Sequence, residues 1–307
     1  MLTFLVFSLA MAGAGSQDSS AFDDFFWISG EVLGEANPKA AIVVRLEIPG
    51  AQRDLYGQLD TGSDATIFYG NMLRRHGVDV DSSGAVPLRF RWYGHGSEAG
   101  PLETPAFIDW QRDSDVNLRS DDPADHIVGS IGLDKVVGKI LVLDFLRSRY
   151  AVVSDTLAVR HLVPRPVGYV DAQIAYNKFF VSVEMGPDTI QAVRYDSGAS
   201  AFALVLPRDW WEWATGLSGA ERGVEKDTVA SWGKGLEAWT APAKYPMKFG
   251  PVIIRAPRVT YIAWPDASMA GMRLMGNALF YDNHVVVLDC IRHKFGVSGP
   301  VRAWDRD

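Results

Sequence analysis

The sequence predicts an all-β fold made of two copies of one unit, and three observations carry that expectation. Short apolar or alternating runs dominate the chain, Gly, Pro and Asp punctuate them, and four stretches of the first half recur in order in the second. Brief runs rich in Val, Ile and Phe between turn residues read as strands, because branched and aromatic side chains fit a pleated surface. In chain order these are 41–48 (AIVVRLEI), 86–93 (VPLRFRWY), 140–145 (ILVLDF), 178–185 (KFFVSVEM), 202–206 (FALVL) and 284–289 (HVVVLD). Two helices are expected, at 70–77 and 207–219, with Trp210, Trp211 and Trp213 packing the second against the sheet.

The repeat is plainest where GQLDTGSDATIFY (57–69) parallels VRYDSGASAFALVL (193–206), so that Asp60 matches Asp196. YGHGSEAG (93–100) matches WGKGLEAW (232–239). IVGSIG (127–132) matches LMGNAL (274–279) when Gly129 is set against Gly276, and VLDFLRSRYAV (142–152) matches VLDCIRHKFGV (287–297) with Asp144 against Asp289. All four recur at an offset of about 140 residues. The chain is therefore read as residues 15–165 and 166–307, joined near LVPRPVGYV (162–170), whose prolines suit an extended linker.

Composition narrows the function. A chain of 307 residues, 48% hydrophobic and 22% charged, has an ordinary globular composition. Its formal charge of −7 and the lack of a basic block argue against nucleic acid as a partner. The first residues, MLTFLVFSLAMAGA, read as a signal peptide over 1–14, too short to span a bilayer, and no later stretch qualifies as a span. The single cysteine, Cys290, sits in an apolar run and reads as core. With no Asn-x-Ser/Thr sequon, the expectation is a bacterial periplasmic or secreted protein, monomeric. HExxH, paired CxxC and GxSxG are missing, so zinc and serine-nucleophile readings have no support, and water activation by a carboxylate pair requires neither a metal nor an organic cofactor.

Two Asp-hydroxyl-Gly turns in related halves can meet at a pseudo-twofold axis. Carboxylates brought that close together cannot both ionise, so one proton is shared between them. The charged member can then take a proton from a water that attacks a carbonyl, while the protonated member donates to the carbonyl oxygen. Thr61 and Ser197 can cross-brace the loops through hydroxyl-to-backbone bonds, and Gly62 and Gly198 let backbone amides approach the carboxylates. Ser63 can donate to the outer oxygen of Asp60, whereas Ala199 offers Asp196 no equivalent.

These motifs, spread from about Ala41 to Val297, resemble those of the pepsin-like aspartic peptidases. Asp60-Thr-Gly-Ser and Asp196-Ser-Gly-Ala are similar to the two catalytic motifs, and Tyr93-Gly94-His-Gly-Ser resembles the flap hairpin whose tyrosine covers the substrate. LMGNALFYDNHVVVLDCIRHKFGV resembles the closing segment. Ile67 stands where the family usually has a tryptophan partner for the flap tyrosine. The resemblance implies a bilobal pepsin-like acid protease fold, an aspartic endopeptidase with Asp60 and Asp196 as catalytic residues, and an extended polypeptide as substrate. The alternative is a non-catalytic protein of the same fold that binds peptides or proteins.

Overall fold

The computed structural model describes residues 22–32, 35–81, 88–92, 103–111, 117–163, 165–231, 234–281 and 283–299. The leader expected at 1–14 and the hairpin tip at 93–100, with Tyr93, Gly94 and His95, lie outside them. Strands dominate and helices are short, so the fold is all-β, built from both parallel and antiparallel ladders.

The two halves meet along one antiparallel ladder. Ile140–Asp144 pairs with Val285–Asp289, with Val142 opposite Val287. Arg149–Val153 and then Asp23–Val32 extend this sheet on one side, and Lys294–Ser298 and then Gly168–Ala175 extend it on the other. Asp144 faces Val285 and its sequence counterpart Asp289 faces Ile140, so the ladder is unchanged when the halves are exchanged. Both central strands are near-continuous apolar runs because both faces of the sheet are covered.

The turns leaving these strands are also matched. Asp144 Oδ2 accepts from Arg147 and Arg149 (3.0 and 2.9 Å), while Asp289 accepts from the amides of Ile291 and Arg292 (3.1 and 2.8 Å) and from Arg292 Nε (2.6 Å). Ser148 and His293, at equivalent places, take left-handed backbone with φ of 52° and 54°. The Asp289 carboxylate thus caps the amides of its turn, whereas Asp144 is held by two arginine side chains through Oδ2, and its buried Oδ1 has no hydrogen-bond partner among the described residues.

Each half builds its aspartate loop in the same way. Leu55–Leu59 runs parallel to Ile127–Ile131, which also pairs antiparallel with Ile67–Tyr69. Asp188–Tyr195 runs parallel to Leu274–Met275, which pairs antiparallel with Leu204–Val205. Asp60 N donates to Ile131 O and Asp196 N to Met275 O, both at 2.9 Å. This register sets Gly132 against Gly276, not Gly129 as the sequence match had it. A Cβ on Gly132 would come within 2.6 Å of the Ala65 backbone, and one on Gly276 would overlap Ala199 O. Gly129 has a separate task, making room for Phe68.

Other elements depart from expectation in extent. The helices are Gly70–Arg75 and Arg208–Thr215, the second halted by Gly216 in left-handed backbone (φ 75°) before the expected end. Trp211 is buried and donates to Val259 O (3.0 Å), and Trp210 packs edge-on against Trp213, as the packing expectation required. Thr156–Leu162, capped by Asp155, is a helix that the strand-centred reading passed over. The joint between the halves is shorter than expected, because Gly168, Tyr169 and Val170 already pair with Val297, Gly296 and Phe295. Of the expected strand at 86–93, residues 88–92 are described, and among them Arg91–Trp92 is strand, with Phe90 bridging Glu103. Cys290 is buried, and its thiol is pushed up to about 12 by burial and the Asp289 charge.

Leu143 and Leu288, equivalent and fully buried in the central ladder, test its role. Replacing either by Ala should cost about 2–5 kcal/mol, read from urea or guanidinium unfolding. A cost near zero for both would show that the ladder does not hold the halves together.

Candidate active site

Asp60 and Asp196 each follow a buried strand end, Leu59 or Tyr195, and each opens a tight turn. The inner oxygen of each carboxyl collects the turn's amides. Asp60 Oδ1 accepts from Gly62 N and Ser63 N, both at 3.1 Å, and Asp196 Oδ1 accepts from Gly198 N (2.9 Å) and Ala199 N (3.2 Å). Asp side chains bonding to amides two and three residues on are a common local device of turns.

The contacts between the loops join residues distant in the chain. Thr61 N donates to Ser197 Oγ (2.9 Å), Ser197 N donates to Thr61 Oγ1 (3.0 Å), and Ser197 Oγ donates on to Leu59 O (2.7 Å). Both hydroxyl residues are fully buried. This reciprocal brace presses each turn against the opposite carboxyl. A Cβ on Gly62 would fall on the Asp196 carboxyl group, and one on Gly198 would lie 2.5 Å from Asp60 Oδ1. Glycine is needed here for close approach, beyond the access for amides that the sequence suggested.

The Asp60 carboxyl is held up at about 7, first by burial, then by the Asp196 charge and by a hydrogen bond between the two side chains. The amides of Ser63 and Gly62 pull in the opposite direction and do not prevail. Asp60 therefore carries a proton at acidic pH and donates it toward Asp196. Such a pair holds an acid and a base side by side, the arrangement needed to activate water.

One expected contact is corrected. The Ser63 hydroxyl donates to Ala65 O (2.8 Å), because the turn brings that carbonyl closer than the outer oxygen of Asp60; Ser63 serves the carboxyl through its backbone amide. Both carboxyls thus take their support from amides, and Ala199 does not set the loops apart.

The difference comes from Arg194, which the sequence reading missed. Its Nη2 lies 3.3 Å from Asp196 Oδ2. The signal was available, since a residue two before Asp196 on a strand shares its face. Also missed was the support behind the second loop. Asn277 Nδ2 donates to Ser197 O (2.9 Å) and Ser200 Oγ (2.7 Å), Asn277 Oδ1 accepts from Tyr195 (2.6 Å), and Tyr281 donates to Ser200 O. In the first half Thr66 plays a comparable part, donating to Asp134 Oδ1 (2.7 Å) and accepting from Gly132 N (3.0 Å). Different residues serve the two loops, so the repeat could not reveal them.

The dyad forms the floor of a cleft of about 610 Å3. The expected flap falls at 93–100, outside the described residues, although Phe90 and Glu103 pair antiparallel on either side of it (2.9 and 2.8 Å). At the position of the missing tryptophan, Ile67 is half-buried, and neighbouring Phe68 packs on Phe90 with ring centres 4.7 Å apart. Among the described residues, no group of three or more His, Cys, Asp or Glu could hold a metal ion.

No protein-family model matches the chain, and no curated protein matches it. Among solved structures, conglutin gamma, a basic 7S globulin from lupine seeds, is similar at 9% identity, with a TM-score of 0.45 over 84% of this chain and 91% of that one.

Two outcomes test the site without reference to turnover. Gly198→Ala should destabilise the protein by about 1–3 kcal/mol in denaturant unfolding, as overpacking does; a neutral substitution would mean the loops stand farther apart. Asp60, at about 7 when folded and about 3.9 when unfolded, keeps a proton that the unfolded chain releases. Its contribution to stability is full at acidic pH below the unfolded value and is lost as pH rises through the folded one. The fall in unfolding midpoint between acidic and neutral pH should therefore be smaller in Asp60→Asn than in the parent; equal falls would refute the placement of the proton.

Proposed function

We propose that this protein is a pepsin-like aspartic endopeptidase with the bilobal acid protease fold, cleaving extended polypeptides through Asp60 and Asp196. The observation that carries the reading is the pair of carboxyls braced by Thr61 and Ser197, with Asp60 held up at about 7. The two turns built alike on either side of a self-complementary ladder support the bilobal part of it.

In the reaction Asp196, ionised, takes a proton from a water lying between the carboxyls. The oxygen of that water attacks the scissile carbonyl carbon, and Asp60 donates its proton to the carbonyl oxygen, giving a neutral gem-diol. Transfer of a proton to the amide nitrogen lets the C–N bond break, with an amine and a carboxylic acid as products. Thr61, Ser197 and the two glycines hold the carboxyls; covering the substrate is assigned to Tyr93 and Gly94, which lie outside the described residues. The apolar leader argues for export to the periplasm or outside the cell, where the chain acts as a monomer.

A second reading, a peptide-binding protein of the same fold without turnover, is favoured by one observation. The Arg194 guanidinium already partners Asp196, lying 3.3 Å from its Oδ2, an oxygen that would otherwise face the water.

Asp60→Asn and Asp196→Asn should each lower kcat on unfolded protein substrates by about 10^3-fold or more, with unchanged circular dichroism. Activity of the parent should decline above about pH 7 as Asp60 loses its proton. Residual activity in either variant comparable to the parent would reject the dyad, and a parent that binds peptides without cleaving them would establish the second reading.

A further inference from the structure

We propose that the pocket beside Asp196 selects a substrate residue with a carboxylate side chain, Asp or Glu, next to the scissile bond, and that Arg194 and Lys178 are the specificity-determining residues. This rests on the peptidase reading above.

The cleft wall contributed by the second half is apolar, with Phe202, Val205, Ile262, Trp264 and Leu274 among its residues. Two cations break that surface, Arg194 and Lys178. Phe180 pairs with Arg194 and Phe179 with Tyr195, so alternation along the two strands puts Lys178, Arg194 and Asp196 on one face of the sheet. A pocket meant for a purely apolar side chain gains nothing from these charges, since filling it would strip them of water without compensation.

The cations also have capacity to spare. A guanidinium has five donors, and that of Arg194 meets only Asp196 Oδ2 (3.3 Å) and Met272 Sδ (3.6 Å) among the described residues. Its Nε is buried with no partner there. Lys178 has no ion pair or side-chain hydrogen bond among the described residues. Three carboxyls line the same cleft: Asp60, Asp196 and Asp64. Asp60 carries the proton, Asp196 is partnered by Arg194, and Asp64 is exposed, so the positive side of the pocket remains open to an incoming carboxylate. A carboxylate between Arg194 and Lys178 would make charge-assisted hydrogen bonds, the strong kind, against an apolar wall that packs the side chain's methylenes.

The test uses peptides identical except for Glu, Gln, Leu or Lys at the residues flanking one scissile bond, assayed at about pH 5.5, where a substrate Glu is ionised. The expected result is a kcat/KM ratio of Glu over Gln of at least about tenfold in the parent. That ratio, read within each variant, should collapse toward unity in Arg194→Met and fall part of the way in Lys178→Met. A parent preferring Leu or Lys, or a Glu/Gln ratio that neither variant moves, would overturn the proposal. If no peptide is cleaved, the peptidase reading fails by itself; the same peptides are then compared by dissociation constant. Tighter binding of Glu than Gln that is lost in Arg194→Met supports the pocket assignment, and equal binding rejects it.

Discussion

The structure depends on a pair of hydrogen bonds between Thr61 and Ser197, each hydroxyl taking the other loop's amide. These bonds join residues far apart in the chain at a place closed to solvent, where an unpaired amide costs as much as the bond itself contributes. Because they hold the turns in contact, each glycine must sit against the opposite carboxyl. Because the carboxyls are then adjacent and buried, one of them stays protonated up to about 7. The chemistry of the site thus comes from a steric arrangement, and the glycines and the raised carboxyl are two consequences of one brace.

Such a brace would be useless on mobile supports. Each turn leaves a strand held on its far side by a second strand of its own half, through the 2.9 Å bonds of Asp60 to Ile131 and Asp196 to Met275. The halves are held to each other by the apolar ladder of Ile140–Asp144 and Val285–Asp289. At the ends of those strands the buried carboxylates of Asp144 and Asp289 are paired with arginines that reach in from the surface, Arg147 and Arg149 on the first and Arg292 on the second, so neither is left without a counter-charge.

Symmetry of the backbone does not extend to the electrostatics. Asp196 has a cation on its outer oxygen, and no equivalent stands beside Asp60 among the described residues, where Gln58 holds the place of Arg194 and reaches instead toward Gly198 O (3.5 Å). The exchange of Gln for Arg between the two halves also places a guanidinium at the wall of the cleft.

What the sequence determined by itself was the class of fold, the existence of a repeat and the two aspartates with their hydroxyl and glycine neighbours. These are legible because strand alternation and turn chemistry act over a few residues, and because a duplicated motif is compared with itself. The sequence misplaced the third repeat element by three residues, pairing Gly129 with Gly276, since a shared glycine outweighed a register that only hydrogen bonds between strands specify. It sent the Ser63 hydroxyl to a carboxyl when the turn offered a nearer carbonyl. Arg194 could have been found from strand alternation, two residues before Asp196, but Asn277, Tyr281 and Lys178 escaped it because only contacts and strand pairings between chain-distant residues bring them to the site. Only the tertiary structure could decide them, since distances between chain-distant side chains, and the loss of water around them, do not exist until the two halves have closed on one another.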